Sequence, residues 1–324
     1  MIDVIVIGAG WSGLTAAARL ASSGRSVAVV EKSRGPGGRS ATRREEGFIF
    51  DHGAQYLTAR SDAFSRQVEA WTGAGLLAPW TPSLTVFGKR PDHAGESPAR
   101  RWVGVGGMNA VLHRLAGGLD CRWGWRAESI EFDRQSWRVR STDGQLLEAC
   151  SLLVTAPPAQ SSALLGPEHA FSGQLDTVEM LPCWSVMVGF AEPPATAFDA
   201  AFVNEGPLSW VARNDSKPGS QSTSAWIGHA SAAWSRDNLE AEPEEVADAL
   251  FAAMTELDSA FNRPSRLCLA HRWRYAMARA PLDGPILADD GRKLVVAGDW
   301  CAGERIEGAW ISGVAAAQRL ASVL

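Results

Sequence analysis

The opening stretch "MIDVIVIGAGWSGLTAAARLASSGRSVAVVEKS" constrains the fold more than any other part of the chain. Val4 to Ile7 is a continuous apolar, largely β-branched run, the composition of a parallel strand covered on both faces. Gly8-Ala9-Gly10-Trp11-Ser12-Gly13 follows as a GxGxxG. Gly8 permits the tight turn, Gly10 lets a pyrophosphate approach the backbone, and Gly13 lets the next helix pack closely on the strand. The pattern predicts a helix from about Ser12 to Ser23, stopped by Gly24. Its first N–H groups, at Trp11, Ser12 and Gly13, offer a phosphate the positive end of a helix dipole. A second apolar run, Ser26 to Val30, ends in Glu31, with Lys32 beside it. A carboxylate about 20 residues after the glycines accepts hydrogen bonds from a ribose diol and disfavours a 2′-phosphate. Strand, glycine loop, helix, strand and terminal acid together specify a Rossmann-type dinucleotide site, which the glycines alone would not.

The other end of the chain repeats the pattern. In "LVVAGDWCAGERIEGAWISGVAAAQRL", Leu294 to Ala297 reads as a third buried strand, followed at once by Gly298-Asp299. Glu307-Gly308-Ala309 then opens a helix running to about Leu320. Between the two ends, Ser61 to Thr72 is predicted as an amphipathic helix with Phe64, Val68 and Trp71 on one face. Pro79 to Pro98 reads as loop and edge strand, and Met108 to Ala116 as a helix. Short strands follow at about Cys121–Trp125, Glu128–Asp133, Trp137–Ser141 and Leu146–Cys150, then a separate buried strand from Ser151 ending at Pro157-Pro158. From about Gln160 to Met277 the pattern changes to longer strands ("CWSVMVGFA", "LSWVARN", "SAWIGHAS", "LCLAHRWRYA") around one helix, Pro243–Leu257. That helix has proline in its first turn and Glu244 and Glu245 near its positive end.

The expected fold is therefore α/β: a discontinuous Rossmann-type domain built from 1–60, 100–160 and 278–324. An α+β substrate domain on an antiparallel sheet, from 61–99 and 161–277, is inserted into it. The net charge of -5 argues against a general nucleic-acid binder. No apolar run reaches the ~18 residues of a membrane span. Met1-Ile2-Asp3 leads into the first strand without a signal peptide's basic segment, so a cytoplasmic location and no membrane partner are expected. The five cysteines stand singly, with no metal-knuckle or disulfide spacing, and each reads as a small buried residue. The 14 tryptophans serve either core filling or a stacking pocket, of which core filling is the commoner use.

Beyond Glu31 the sequence carries Gly37-Gly38-Arg39, then Asp51-x-Gly53-Ala54-Gln55. With the fingerprint, these resemble the flavin amine-oxidase superfamily. The resemblance implies FAD, with Arg39 near its pyrophosphate and the Gly53-Ala54-Gln55 loop along the flavin ring. It also implies Asp299 on the ribityl side, and the helix start at Glu307, Gly308 and Ala309 beneath the flavin N1 and C2 oxygen. The physical logic agrees, since adjacent glycines allow close backbone approach and an arginine fork suits a diphosphate. The plain alternatives are a solvated basic face for Arg39, Arg43 and Arg44, and a loop-capping turn for Asp299.

The pieces "GRSATRR", "FDHGAQYLTAR", "HRWRYA" and "GDWCAGERIEGAWISGVAAA", spread over nearly the whole chain, are similar to renalase-like proteins within that superfamily. That resemblance implies non-covalent FAD and oxidation of dihydronicotinamide isomers of NAD(P)H. Hydride passes to flavin N5 and O2 is reduced to hydrogen peroxide. The alternatives are a flavin amine oxidase and a non-catalytic flavin-fold binding protein. Amine oxidation in related enzymes uses a lysine near N5. Lys217, the lysine of the 161–277 part of the second domain, lies in the turn-like "NDSKPG" and reads as a poor candidate for a buried active-site group. Candidates for the substrate side of the flavin are Gln55, Trp210, His229, His271, Arg274 and Tyr275, each of which has a core or surface reading as well.

Overall fold

The computed structural model describes residues 1–89, 100–221, 224–303 and 305–324. The end of the expected loop before Pro98 lies outside them. The fingerprint forms β1 (Ile2–Ile7), α1 (Trp11–Ser22) and β2 (Val27–Glu31). The chain continues through β3 (Thr42–Glu45), β4 (Phe48–Asp51), α2 (Asp62–Gly73), β5 (Leu77–Trp80), β6 (Leu84–Phe87) and β7 (Arg101–Gly104). Next come α3 (Ala110–Ala116), β8 (Asp120–Trp123), β9 (Ala127–Phe132), β10 (Trp137–Ser141) and β11 (Leu146–Val154). The second half begins with α4 (Pro158–Leu165), α5 (Ser172–Asp176), β12 (Met180–Phe190), β13 (Ala200–Val203), β14 (Leu208–Arg213) and β15 (Ala225–Ala230). It ends with α6 (Ala232–Asp237), α7 (Pro243–Leu257), β16 (Ser265–Ala278), β17 (Ile286–Asp289), β18 (Leu294–Ala297), α8 (Asp299–Ala302) and α9 (Ile306–Val323).

The first sheet has the order β17-β18-β11-β1-β2-β8, with β10 and β9 continuing from β11. Its middle, from β18 to β8, is parallel. β1 and β18, the strands that end in the two glycine loops, flank β11 and point the same way, so both loops open at one sheet edge. β11 corrects the expectation of two strands. It is continuous, pairing antiparallel with β10 in its first half and parallel with β1 in its second. Ser151, the polar residue that read as a boundary, is buried inside it and donates its hydroxyl to the Asp3 carbonyl at 2.8 Å.

The second sheet runs β16-β12-β15-β14-β13-β6 and is antiparallel except at β13 and β6. Alternation along β12 sends Trp184, Val186 and Val188 into a core under α7, with Leu250 and Met254. The opposite face carries Met187 and Ile227 against Phe48 and Phe50 of β4. Residues 61–89, the described part of the expected 61–99 segment, divide between the two bodies. α2 packs Phe64, Val68 and Trp71 into the core of the first sheet beside Leu14 and Trp310, whereas β6 joins the second sheet. Most of the tryptophans are buried in these cores. The five cysteines are free; Cys301 is buried and the other four only half-buried. Among the described residues no helix is long and apolar enough to cross a membrane.

Candidate functional site

A cleft of about 1780 Å³ runs from the end of β2, past the β1 loop, to the exposed face of the second sheet. At its first end Gly8 takes a φ of +111°, which an L side chain resists, and a Cβ on Gly13 would collide with the Gly8 carbonyl. Gly13 is therefore a packing residue behind the loop. Gly10 lies open on the cleft, with nothing near the position of a Cβ. α1 starts there without a side-chain cap or an acidic residue, so the N–H groups of Trp11 and Ser12 face the cleft uncapped. The Glu31 carboxylate is buried at the end of β2, accepting from the N–H groups of Ala9 at 2.9 Å and Ser33 at 2.8 Å. Each oxygen retains a further lone pair, and Glu31 lines the cleft. Exposed Lys32 donates to Gln160 Oε1 at 3.2 Å. The Trp11 indole N–H donates to Ser40 Oγ at 2.8 Å, tying α1 to the turn that carries Gly38 and Arg39.

Arg39 and Asp299, expected at different parts of one cofactor, meet each other as a two-pronged ion pair on the cleft wall, with Arg39 Nη1 to Asp299 Oδ2 at 2.7 Å. Arg39 Nη1 also donates to the Ala276 carbonyl at 3.1 Å. Neither a solvated face nor a loop cap describes them. The Gly53 turn is pressed onto the Arg39 backbone: Ala54 N–H donates to the Arg39 carbonyl at 2.8 Å, and a Cβ on Gly53 would strike that same oxygen. From the far terminus, α9 presents its uncapped start to the cleft through Arg305, Ile306 and Ala309. Ser12 Oγ donates to the Ala309 carbonyl at 2.8 Å, and Gly313 lets α9 close onto Ser12 and Thr15. Two uncapped helix starts, anchored to each other, thus face one cleft.

Several expected site residues lie elsewhere. The Glu307 carboxylate turns from the cleft and accepts from Arg60 N–H at 3.0 Å, Ser61 N–H at 2.8 Å and Ser61 Oγ at 2.6 Å, fixing the start of α2. Gly308 is packed against Gly303, behind the wall. Gln55 folds back, donating to the Asp51 and Gly53 carbonyls, so it braces the loop and does not face the cleft. Trp210 belongs to a core with Trp80, Met108 and Tyr56. Arg274 sits at the rim, paired with Glu240 at 2.6 Å, while Tyr275 lines the cleft.

Lys217 overturns the reading of its turn. Its side chain is 3% exposed, with Nζ 3.0 Å from Asp51 Oδ2 and 3.4 Å from Gln55 Oε1, over the face of Trp80. The loop folds inward because Asn214 Oδ1 accepts the Asp51 N–H at 3.1 Å. Burial pushes the Lys217 ammonium down from its ordinary value, and Asp51 opposes that shift.

The substrate end was only partly foreseen. His229, Ser185 and His271 stand side by side on β15, β12 and β16, in register and on one face. His52, directly before Gly53, leans over this row. Its ring stacks on Trp273 at 5.0 Å between centroids and meets His271 edge-on at 4.8 Å. The His52 carbonyl accepts from Trp273 Nε1 at 2.9 Å and from His229 Nε2 at 3.3 Å. Burial pushes His52 down to about 4, assisted by His271, Arg43 and His229 and opposed by the Phe50 carbonyl. Burial likewise pushes His229 down to about 4, with Lys217 adding to the shift and the His52 carbonyl opposing it. His271 is lowered by burial and by Arg43. All three are neutral imidazoles at pH 7. Among the described residues no group of three His, Cys, Asp or Glu side chains is placed to hold a metal. His52, Trp273 and Ser185 escaped the sequence reading. His52 occupied the unspecified position of Asp-x-Gly, and the cross-strand row exists only once three distant strands are paired.

The cleft fits a dinucleotide with a flavin ring. Open backbone at Gly10, a ribose-accepting carboxylate and two uncapped helix starts are the donor and acceptor set such a molecule needs. The profile described as NAD(P)-binding Rossmann-like domain matches residues 6–70, and that described as Flavin containing amine oxidoreductase matches residues 63–321. Among curated proteins, an inactive all-trans-retinol 13,14-reductase from Danio rerio is 52% identical over 56 residues, 17% of this chain and 9% of that protein. The chain thus matches about a tenth of the length of the curated relatives. Among solved structures, the cyclohexylamine oxidase from Brevibacterium oxydans superposes with a TM-score of 0.75 at 16% identity, covering 99% of both chains. Putrescine oxidase bound to putrescine gives 0.74 at 15% identity, also over 99% of both. At these identities the likeness concerns the fold.

Proposed function

The chain belongs to the family of flavin-containing amine oxidoreductases, and from that premise we propose that it is a FAD-dependent oxidase of an uncharged hydride donor, held between the Gly53–Ala54 loop and the His229–Ser185–His271 row. FAD is the cofactor, held without a covalent bond; when bound it supplies the hydride acceptor. The chain's own residues bind, orient and exclude water. The α1 start would hold the pyrophosphate and Glu31 the adenosine ribose. The Arg39–Asp299 pair supports the middle of the molecule. The α9 start would face the ring end of the bound cofactor, where a helix terminus favours negative charge by up to about 2 kcal/mol when partly buried. Over the reaction the substrate loses a hydride, and O2 takes that hydride and a proton to leave as hydrogen peroxide.

The observation that carries this reading is electrostatic. Apart from the imidazoles themselves, the charged groups that shift the histidine cluster are Arg43 and Lys217, both cationic. Arg43 is paired with Glu45 and Lys217 with Asp51, and no carboxylate bonds to the three rings among the described residues, so a protonated amine finds no counter-charge there, while a free-base amine or a dihydropyridine ring needs none. The family, and the amine oxidases that share the fold, back an amine over the dihydronicotinamide expected from the sequence. One observation favours the dihydronicotinamide as a second reading: Arg43, Arg44, Arg272 and Arg274 all line the cleft, a wall suited to a diphosphate tail. Hydride loss from such a ring also needs no side-chain base.

Anaerobic mixing of the FAD-loaded protein with candidate donors tests both. Bleaching by primary or cyclic amines, faster as pH rises toward the amine's own pKa, supports the first reading. Bleaching by aged NADH containing its isomers supports the second. A yellow protein that neither bleaches is a binding protein, and the oxidase reading falls.

A further inference from the structure

Within that substrate pocket, and resting on the reading above, one side chain is set up as a fixed acceptor. The His229 Nε2 contact is to a carbonyl oxygen, which can only accept, so Nε2 carries the proton. In the neutral ring Nδ1 is then a lone-pair acceptor. It has no hydrogen-bond partner among the described residues, and His229 lines the cleft. The orientation is held from outside the strand: the same His52 carbonyl that takes the His229 proton also takes the Trp273 indole N–H, so one backbone oxygen fixes two rings on β15 and β16. Ser185, in register between His229 and His271, is fully buried, and its hydroxyl has no partner among the described residues. A buried polar row that is left unsatisfied in this way is uncommon. Its neighbours offer a flat wall, the His52–Trp273 stack with His271 at its edge. No carboxylate bonds to any of the three histidines in the described structure, so nothing on the protein competes as an anionic acceptor.

We propose that His229 Nδ1 is the specificity-determining acceptor of the pocket, reading an N–H on the uncharged substrate, either the free-base amine nitrogen or the primary amide of a dihydronicotinamide. The two sources share that chemistry, and the N–H donor is what distinguishes an accepted substrate from a fully N-alkylated analogue of the same shape. The inference adds to the oxidase reading a residue, an atom and a requirement on the substrate.

The experiment uses FAD-loaded protein, whichever substrate bleaches it, and that substrate's N,N-dimethyl analogue. His229→Leu is expected to raise the substrate Kd, read from the dependence of bleaching rate on concentration, on the order of 10-fold. The limiting bleaching rate should stay within about twofold. His229→Gln keeps an N–H for the His52 carbonyl and an oxygen for the substrate, and is expected to recover most of the affinity. The dimethyl analogue should bind wild type more weakly than the parent does, yet bind wild type and His229→Leu alike. Equal parent Kd in wild type and His229→Leu, both retaining the flavin spectrum, overturns the proposal. So does a Gln variant no better than Leu, which would make the ring's shape the relevant property. If no donor bleaches wild type at all, the oxidase reading itself has failed, an outcome distinct from either.

Discussion

Replacing Lys217 by Met should destabilise the FAD-loaded protein by about 3–5 kcal/mol, because it leaves a buried carboxylate without its cation. The side chains of Lys217 and Asp51 are 3% and 2% exposed, and Nζ lies 3.0 Å from Oδ2. At an effective dielectric of ~20, two unit charges at that distance attract by about 5 kcal/mol. Methionine fills most of the lysine stem, so little of the loss is cavity. Asp51 keeps two other donors, the Thr42 hydroxyl at 2.7 Å and Met108 N–H at 2.9 Å, which places the expected cost at the lower end of the range. Asp51→Asn should cost less than Lys217→Met, since an amide oxygen can still accept from both of those donors. In the double variant no unpaired charge remains, so Lys217→Met should cost about 2 kcal/mol less there than alone. Equilibrium urea denaturation at one fixed FAD concentration reads all four proteins, because bound cofactor adds its own stabilisation. A Lys217→Met loss below 1 kcal/mol, with additive single effects, would refute the argument that the pair is a buried, charged unit holding Gln55 and the Gly53 loop.

Asp299→Asn keeps the shape but breaks the ion pair with Arg39, and FAD Kd, measured by titration of the apoprotein, should rise on the order of 10-fold; an unchanged Kd removes the pair from the cofactor wall. Glu307→Gln should cost about 1–3 kcal/mol through the Arg60 and Ser61 bonds while leaving FAD affinity within threefold; loss of FAD at full stability would return Glu307 to the cleft. His52 and His229 take up protons near pH 6.5 when unfolded but near 4 when folded, so stability present above pH 6.5 is lost as pH falls through 4. The loss amounts to about 3 kcal/mol per ring, and urea midpoints at pH 7.5 and 4.5 should show a smaller drop for His229→Gln than for wild type.

How much of this was legible depended on the distance over which the signal is written. The β1–α1–β2 unit, α7 and β18 could be read directly, because local composition and caps determine them: Pro243 at the start of α7 and the apolar run of β18 need no partner to be interpreted. Gly10, Glu31 and Asp299 could be singled out for the same reason, since each lies at or just beyond the end of a strand. Where polarity was taken as exposure, the reading failed. Lys217 looked like a turn lysine, yet it is neutralised by Asp51, a residue 166 positions earlier. Glu307 looked like part of a helix start facing the flavin, yet its charge is spent on the backbone of α2. His229 and His271 were named singly, but their row with Ser185 could not be read, since its register is set only when β12 pairs with both β15 and β16.

Glycine loops stand at both ends of the chain because the sheet brings those ends together. β1 and β18 flank β11, and α1 and α9 leave their tips toward the same edge. Ser12 and Gly313 then lock the two helix starts into one wall. The first loop and its neighbour across that wall, Gly8–Gly13 and the α9 start, are separated in sequence by nearly 300 residues. The α1 start carries no acidic residue, and α9 carries only Glu307, whose carboxylate is bonded to Arg60 and Ser61, so both helix starts leave donors on the wall for an anionic ligand. A single long ligand with a diphosphate at α1 and a ring at α9 would use both. The same geometry makes the assembled wall depend on the last helix as much as on the first motif, so the GxGxxG alone does not constitute the site.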